Sequence, residues 1–219
     1  MIAAPLIRAE NLTIGYERQA PILSGVSFEI GAGDFVGITG PNGGGKTTLV
    51  RALLGLLPLR GGTITFGGNG RRPSMGYVPQ QHLLDRQFPI SVREVVESGL
   101  MGMGGLTAAA RKAAVAEALT LAGLEEMARR PIGDLSGGQL QRTLFARAVV
   151  AKPKILVLDE PDSYVDAAFD EKLHSLLPEL LGDGAILLVS HDEEILGELT
   201  NRRFYVNRDL SEREPETRP

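Results

Sequence analysis

The chain has no cysteine among its 219 residues, so it can hold neither a disulfide nor a thiolate metal site, and it is compatible with a reducing compartment. With only three histidines beside that absence, no transition-metal site stands out in the sequence. An excess of positive charge is also missing: Lys and Arg number 23 against 27 Asp and Glu, a net charge of -4. That removes the broad electrostatic reason for binding a nucleic-acid backbone or an anionic membrane surface, and nucleic acid is not expected as a partner. Long apolar runs are missing too. The longest, near Ala185 to Val189 and Ile155 to Leu158, are strand-length, well short of the roughly 20 residues that span a bilayer. The opening MIAAPLIRAENLTIGY has neither a basic leader with a long apolar core nor a small-residue cleavage site, so no export signal is expected. What is present is ordinary globular composition, 43% hydrophobic and 23% charged, enough to build a core.

Strand and helix patterns alternate along the chain. Leu6 to Ile14, Val26 to Ile30 and Asp34 to Thr39 read as strands, the last running into a glycine-rich turn and then a helical pattern from Lys46. Thr63 to Phe66 and Met75 to Val78 read as further strands, separated by an exposed turn at Gly67 to Arg72. From Ser91 to Arg130 the pattern is helical. Ser91 with Glu94 forms a capping box, Thr107 caps a second, alanine-rich helix, and Gly123 ends it. A helix from Ser136 to Val150, a strand at Ile155 to Leu158, a helix from Asp166, a strand at Ala185 to Val189 and a short helix to Leu199 complete the alternation. Pro178 is expected to kink or end the helix from Asp166, since proline removes a donor and collides with the preceding turn. The charged tail, residues 209–219, has little to bury and is expected to fray. Such alternation predicts an α/β fold with a mainly parallel sheet and an inserted helical subdomain.

Gly40 to Thr48 reads GPNGGGKTT, which fits G-x-x-x-x-G-K-[ST] and lies between a strand and a helix, as a phosphate-binding loop requires. Here Gly40, Pro41, Asn42, Gly43, Gly44 and Gly45 let the backbone curl so that its N–H groups converge on phosphate oxygens at the positive end of a helix dipole. Lys46 is placed to reach the β- and γ-phosphates of ATP, the Thr47 hydroxyl to ligate Mg²⁺, and Thr48 to donate to a neighbouring phosphate. Ile155 to Glu160 reads ILVLDE, a buried strand ending in two acids. Buried carboxylates there need charge balance, which Mg²⁺ supplies; Asp159 is the metal-side ligand, and Glu160 the general base for an attacking water.

Leu135 to Gln139 reads LSGGQ, followed by LQRTLFARAVVAKPKILVLDEP. Ser136 and Gln139 satisfy a capping box, so a plain helix start would explain the string; alternatively the Ser136 hydroxyl, the Gly137 and Gly138 amides and the helix dipole form an anion site. With the two preceding motifs, the chain here resembles the ATP-binding cassette (ABC) family over nearly its whole length. The resemblance implies a P-loop NTPase core with a mainly parallel sheet, an N-terminal antiparallel β subdomain and a helical subdomain, residues 83–150, within a single domain, residues 1–219. It also implies that the Ser136 to Gln139 segment meets nucleotide held by a second ATP-binding subunit, in a homodimer or with a similar partner. Carried over one at a time, Tyr16 resembles the aromatic that stacks on adenine, although a tyrosine at a strand end is also ordinary packing. Gln80, with Gln81 beside it, resembles the glutamine that senses Mg²⁺ and the attacking water. Asp166 resembles the loop acid that crosses the dimer interface, although it is also a plain helix cap, and the SYV before it departs from the commoner small residues. His191 resembles the switch histidine at the γ-phosphate.

The stretch YVPQQHLLDRQFPISVREVVESGL is similar to the matching segment of bacterial importers of zinc, manganese and related metal ions. This implies an ATPase energising an integral membrane permease at the cytoplasmic face, served by an extracytoplasmic solute-binding protein that, with the membrane channel, selects the metal. Leu83, Leu84, Phe88 and Met101 are then candidate permease contacts, or else the helical subdomain's own small core. Two other classes remain open, a soluble cassette ATPase of assembly or regulation and a cassette acting on nucleic acid or ribosomes, and within the transporter reading a non-metal cargo stays open too. The second usually shows a basic surface or two cassettes.

Overall fold

The computed structural model describes residues 4–17, 19–67, 70–80, 88–160, 175–180 and 182–213. In chain order these form β1 (Ile7–Ile14), β2 (Leu23–Ile30), β3 (Phe35–Thr39), α1 (Lys46–Leu53), β4 (Leu59–Phe66), β5 (Met75–Val78), α2 (Val92–Ser98), α3 (Ala108–Ala122) and α4 (Gly137–Val149). Then come β6 (Ile155–Asp159), a helical stretch α5 at residues 175–180, β7 (Ala185–Val189), α6 (Glu193–Leu199), β8 (Arg202–Val206) and β9 (Leu210–Arg213). The chain divides into two compact units, residues 1–73 with 181–219, and residues 74–180.

In the first unit, β1 is the middle of an antiparallel sheet of order β2-β1-β4. Ile7 and Ala9, then Leu12 and Ile14, are buried, the period-2 pattern of a sheet with one covered face, interrupted by one extra residue at the register shift between Ala9 and Leu12. β4 begins at Leu59, four residues before the expected Thr63, because Gly61 and Gly62 do not make a turn. Gly62 takes φ 79 at a register shift between Glu10 and Thr13 of β1, and a Cβ there would stand 2.4 Å from the Asn11 carbonyl oxygen. Only glycine lets the two backbones approach so closely. Beside this sheet in sequence, β3 pairs in parallel with β7 and with β8. β3 and β7 are apolar runs buried almost throughout, as parallel strands covered on both faces must be. β9 closes this set as an antiparallel partner of β8.

β8 and β9 correct the sequence reading, which placed no strand after Leu199 and expected the tail to fray from residue 209. The hairpin is held by charge. Arg202 donates to both carboxylate oxygens of Glu212, at 2.6 and 2.9 Å, and to Asp34 at 2.5 Å, while the Arg213 guanidinium stacks 3.6 Å from the Tyr205 ring centroid. The tail's charges therefore pay their way as cross-strand pairs; residues 214–219 lie outside the described residues.

In the second unit, β5 lies parallel to β6 with Val78 opposite Leu158. α2, α3 and α4 share one core made of Val92, Val95, Val96, Leu100, Val115, Leu119, Ala122, Leu140 and Ala146 among others. Each buried Val or Leu side chain contributes about 1.5–3 kcal/mol relative to exposure. The expected start and stop signals operate. Both bonds of the Ser91–Glu94 capping box form, Thr107 Oγ1 accepts from the Ala110 amide, and Gly123 ends α3 in the left-handed region at φ 63. α5 is helical through Pro178 to residue 180, so proline does not end it there; the start expected at Asp166 lies outside the described residues.

Candidate active site

The first unit presents its site residues at the carboxyl ends of two neighbouring parallel strands. β3 ends at Thr39 and leads into the loop Gly40 to Gly45, and β7 ends at Val189 opposite Ile38, two residues before His191. Crevices outside the carboxyl ends of parallel strands are where open α/β folds bind ligands.

The glycine loop is seated on its own unit. A Cβ on Gly40 would stand 2.1 Å from the Val206 carbonyl oxygen, and one on Gly44 2.6 Å from the same atom. The turn after β8 returns the contact: the Arg208 amide donates to the Gly44 carbonyl at 2.9 Å. Inside the loop Lys46, a residue only 6% exposed, donates from its ammonium to the carbonyls of Gly40 at 2.8 Å and Pro41 at 3.2 Å. Gly45 precedes α1 at φ 108 and supplies no side-chain cap, and no acid occupies the first turn. The N-terminal amides of α1 and the Lys46 ammonium therefore face the same loop, the donor set that a phosphate chain requires. The residues fit that ligand.

Tyr16 stands at the edge of this unit, 36% exposed, with its hydroxyl accepting a 2.9 Å hydrogen bond from Arg51 of α1. His191 is exposed between two anchors, Ser190, 3% exposed, whose hydroxyl accepts from the Asp192 amide, and Asp192, which caps α6 by accepting from the Glu194 and Ile195 amides.

The second unit gathers its own set. Asp159 ends β6 and is 2% exposed; the Tyr77 hydroxyl of β5 donates to its Oδ2 at 3.2 Å. Arg147 of α4, whose pKa burial pushes down from its ordinary value, donates to the Tyr77 carbonyl at 3.2 Å and so fixes that strand. Gln80, just beyond β5, donates its side-chain amide to Glu160, just beyond β6. Glu160 holds φ 51, the left-handed region that a side chain other than glycine adopts at a cost. A buried hard-oxygen donor at Asp159 suits Mg²⁺, which takes one or two carboxylates and completes its shell with phosphate and water oxygens.

At the start of α4 both bonds of the Ser136–Gln139 capping box are made: Ser136 Oγ accepts from the Gln139 amide at 3.2 Å, and Gln139 Oε1 accepts from the Ser136 amide at 3.0 Å. The helix-start reading is therefore realised in the structure. It leaves the anion reading intact, because a hydroxyl that accepts still has its own proton to donate, and Ser136 is exposed. Asp166 lies outside the described residues, as do Leu83 and Leu84.

Sequence reasoning missed the residues that hold these groups. Asp192 was recoverable, since an Asp followed by Glu193 and Glu194 is a helix-start pattern. Tyr77, Arg51 and the turn at Arg208 carry no local signal, because each acts on residues distant in the chain.

A family model described as ABC transporter matches residues 23–163. The chain belongs to the ABC transporter family. It is a nucleotide-binding ATPase of the cassette type, with the α/β P-loop fold. A probable metal transport system ATP-binding protein of Chlamydia trachomatis serovar D is 41% identical over 209 residues, 92% of this chain and 88% of that protein. The manganese transport system ATP-binding protein MntB of Bacillus subtilis is 39% identical over 193 residues, 85% of this chain and 77% of that protein. A solved dimeric ATP-binding cassette, in a post-hydrolysis state bound to ADP and Pi, superposes with a TM-score of 0.83 at 27% identity, covering 97% of this chain and 100% of that one.

Proposed function

We propose that this cassette is the ATP-hydrolysing subunit of a membrane importer for a divalent transition-metal ion, manganese or zinc. The observation that carries the cargo is the 41% identity, over 92% of the chain, to a protein named for metal transport. Two copies would pair head to tail and dock on an integral permease at the cytoplasmic face, with an extracytoplasmic solute-binding protein delivering the metal. Among the described residues no helix is long and apolar enough to cross a membrane. Phe88 and Met101, 61% and 81% exposed and outside the helical core, are available as contacts.

The loop amides and Lys46 bind the β- and γ-phosphates of ATP, and Tyr16 stacks on adenine. When bound, Mg²⁺ neutralises phosphate charge as it develops on the leaving oxygens. Thr47 and Asp159 are the residues that would hold it, and Gln80 would link it to the helical subdomain. Glu160 accepts the proton of the water that attacks the γ-phosphorus, while His191 donates to a γ-phosphate oxygen. Ser136, Gly137 and Gly138 donate to the γ-phosphate held by the other copy, and Asp166 crosses between copies. Binding energy closes the pair, hydrolysis reopens it, and the permease converts that motion into transport.

Purification of the tagged chain from detergent-extracted membranes, followed by reconstitution with the permease that accompanies it, tests this reading. Turnover stimulated by binding protein loaded with Mn²⁺ or Zn²⁺ is the expected result. A chain that is consistently soluble and free of any permease would overturn the transporter role, and stimulation by a non-metal solute would overturn the cargo.

A further inference from the structure

The helical unit contains a cavity of about 560 Å³ lined by Ser91, Arg93, Glu94, Lys112, Ala128 and Arg129. Its walls are tied together by backbone bonds: the Arg93 amide donates to the Ala128 carbonyl at 2.9 Å, the Val92 amide to the Arg130 carbonyl at 3.0 Å, and Ser91 bridges Pro131. The backbones that carry Arg93 and Arg129 are therefore held side by side. Among the described residues, the side chains of Arg93, Lys112 and Arg129 make no ion pair or hydrogen bond. That is notable in a chain with 27 acids to 23 basic residues, where partners of the opposite sign are plentiful.

The single acid in the lining offsets only one of these three positive charges. Glu94 accepts from the Ser91 hydroxyl at 2.6 Å and the Ser91 amide at 2.8 Å, bonds that hold its carboxyl below the usual range. Two guanidiniums and an ammonium thus converge on an open hollow with their donors unspent, the arrangement that recognises carboxylates, in forked pairs where arginine is concerned. The lining also includes the Ala128 methyl group and an ionised glutamate. A peptide can satisfy that mixture with side-chain carboxylates for the cations, an apolar stem against Ala128 and backbone N–H donors for Glu94, whereas a free polyphosphate offers neither an apolar group nor a donor. Phe88, three residues before Ser91 and 61% exposed, offers an apolar anchor in the same stretch of chain.

We propose that this cavity receives an acidic segment of the permease, whose Asp or Glu side chains pair with Arg93 and Arg129 while Lys112 supplies a third positive charge. This rests on the transporter reading and adds to it the sign of the partner's docking segment. Charge pairs of this kind steer association and make it dependent on salt.

The test uses the full chain with the reconstituted permease in detergent, measuring association by co-elution and by surface binding at low and high salt. The double substitution Arg93→Glu, Arg129→Glu should weaken association about tenfold or more at low salt and flatten its salt dependence, with ATP binding and melting temperature unchanged. Replacing an acidic residue of the permease's cytoplasmic segments with lysine should restore association to that variant. Should the double variant fail to fold, Arg93→Gln with Arg129→Gln is expected to show the same flattened salt dependence. Unaltered association in the charge variants, with Phe88→Asp abolishing it, would overturn the acidic-segment inference and leave the transporter reading standing. Absence of association even for the native chain would overturn both. Titration of the isolated chain with inorganic tripolyphosphate gives a further arm: tight binding that the arginine substitutions remove would reassign the cavity to a small anion.

Discussion

The side-chain amide of Gln80 donates to the carboxylate of Glu160, joining the residue just beyond β5 to the residue just beyond β6. The strand pair alone would align Val78 with Leu158 and leave the side chains beyond to find their own positions. The hydrogen bond settles one of them, and it does so where Glu160 occupies the left-handed region at φ 51. Holding a glutamate there costs on the order of 1 kcal/mol or more, which the surrounding contacts must offset. A residue kept in such a conformation invites a chemical role, and the proposed one is to take the proton of the attacking water.

Glu160→Gln is the direct check. The substituted side chain keeps an oxygen that can accept from the Gln80 amide, so placement should survive while basicity is removed. ATP binding is expected to persist and hydrolysis to fall by about 10²- to 10⁴-fold, the range associated with losing a positioned base. Equilibrium binding and single-turnover hydrolysis measured on the same preparation decide it. Turnover close to that of the unsubstituted chain would remove Glu160 from its proposed role.

The contact between the glycine loop and Val206 leads to a second expectation. Gly44→Ala places a methyl group 2.6 Å from the Val206 carbonyl oxygen, a backbone atom that cannot swing aside. Overpacking of this kind costs about 1–3 kcal/mol. The loop should shift to relieve it and lose the convergence of its amides, so the melting temperature should drop and ATP affinity should fall at least tenfold. A variant that binds ATP normally would show that the loop tolerates displacement.

How far these features were legible in the sequence depends on the range of the interactions. The loop at Gly40 to Thr48, the caps at Ser91, Thr107 and Ser136, and the apolar strands at Ile155 and Ala185 are set by neighbours within a few residues, and they form as expected. β9 was missed because its composition is polar; it pairs with β8 along the backbone, and Arg202 reaches Glu212 across the hairpin and Asp34 in a distant part of the chain. The start of β4 was misjudged because the pair Gly61 and Gly62 ordinarily signals a turn, and only the opposing backbone of β1 reveals why the glycines are there. The same holds within the candidate site, where motif residues were named but the groups that hold them, Tyr77 and Arg51, were not.

Ser136 has two readings that a pair of substitutions separates. Ser136→Ala removes the side-chain cap and should cost about 1 kcal/mol of stability. Ser136→Asp keeps a strong capping group, so stability should be close to native. Under the proposed role, however, it sets a carboxylate against the γ-phosphate held by the other copy. ATP-dependent dimerisation and turnover should then collapse in the aspartate variant while its melting temperature holds. If Ser136 is a cap alone, activity will follow stability, and the aspartate variant will outperform the alanine one.

The β8–β9 hairpin gives a prediction about pH. Hydrogen bonds from Arg202 are the largest cause holding the Glu212 carboxyl below its ordinary value, and Glu212 in return raises the pKa of Arg202, which stays charged throughout. A carboxyl depressed on folding binds fewer protons in the native state than in the unfolded one. Its stabilisation is therefore fully present above the unfolded value, about 4.3 for glutamate, and is lost as the pH falls through the lower folded value. Glu212 is half exposed in its side chain, so solvent screening limits the pair to under about 1 kcal/mol. Amide exchange in residues 210–213 should quicken as the pH is lowered from 5 toward 3, once corrected for intrinsic rates, and Glu212→Gln should already show that faster exchange at pH 7. Because the turn of this hairpin donates from the Arg208 amide to Gly44, the same variant should weaken ATP binding slightly, by no more than about threefold. Exchange in β9 that is independent of pH and of the substitution would show that the strand is held by its backbone ladder rather than by the ion pair.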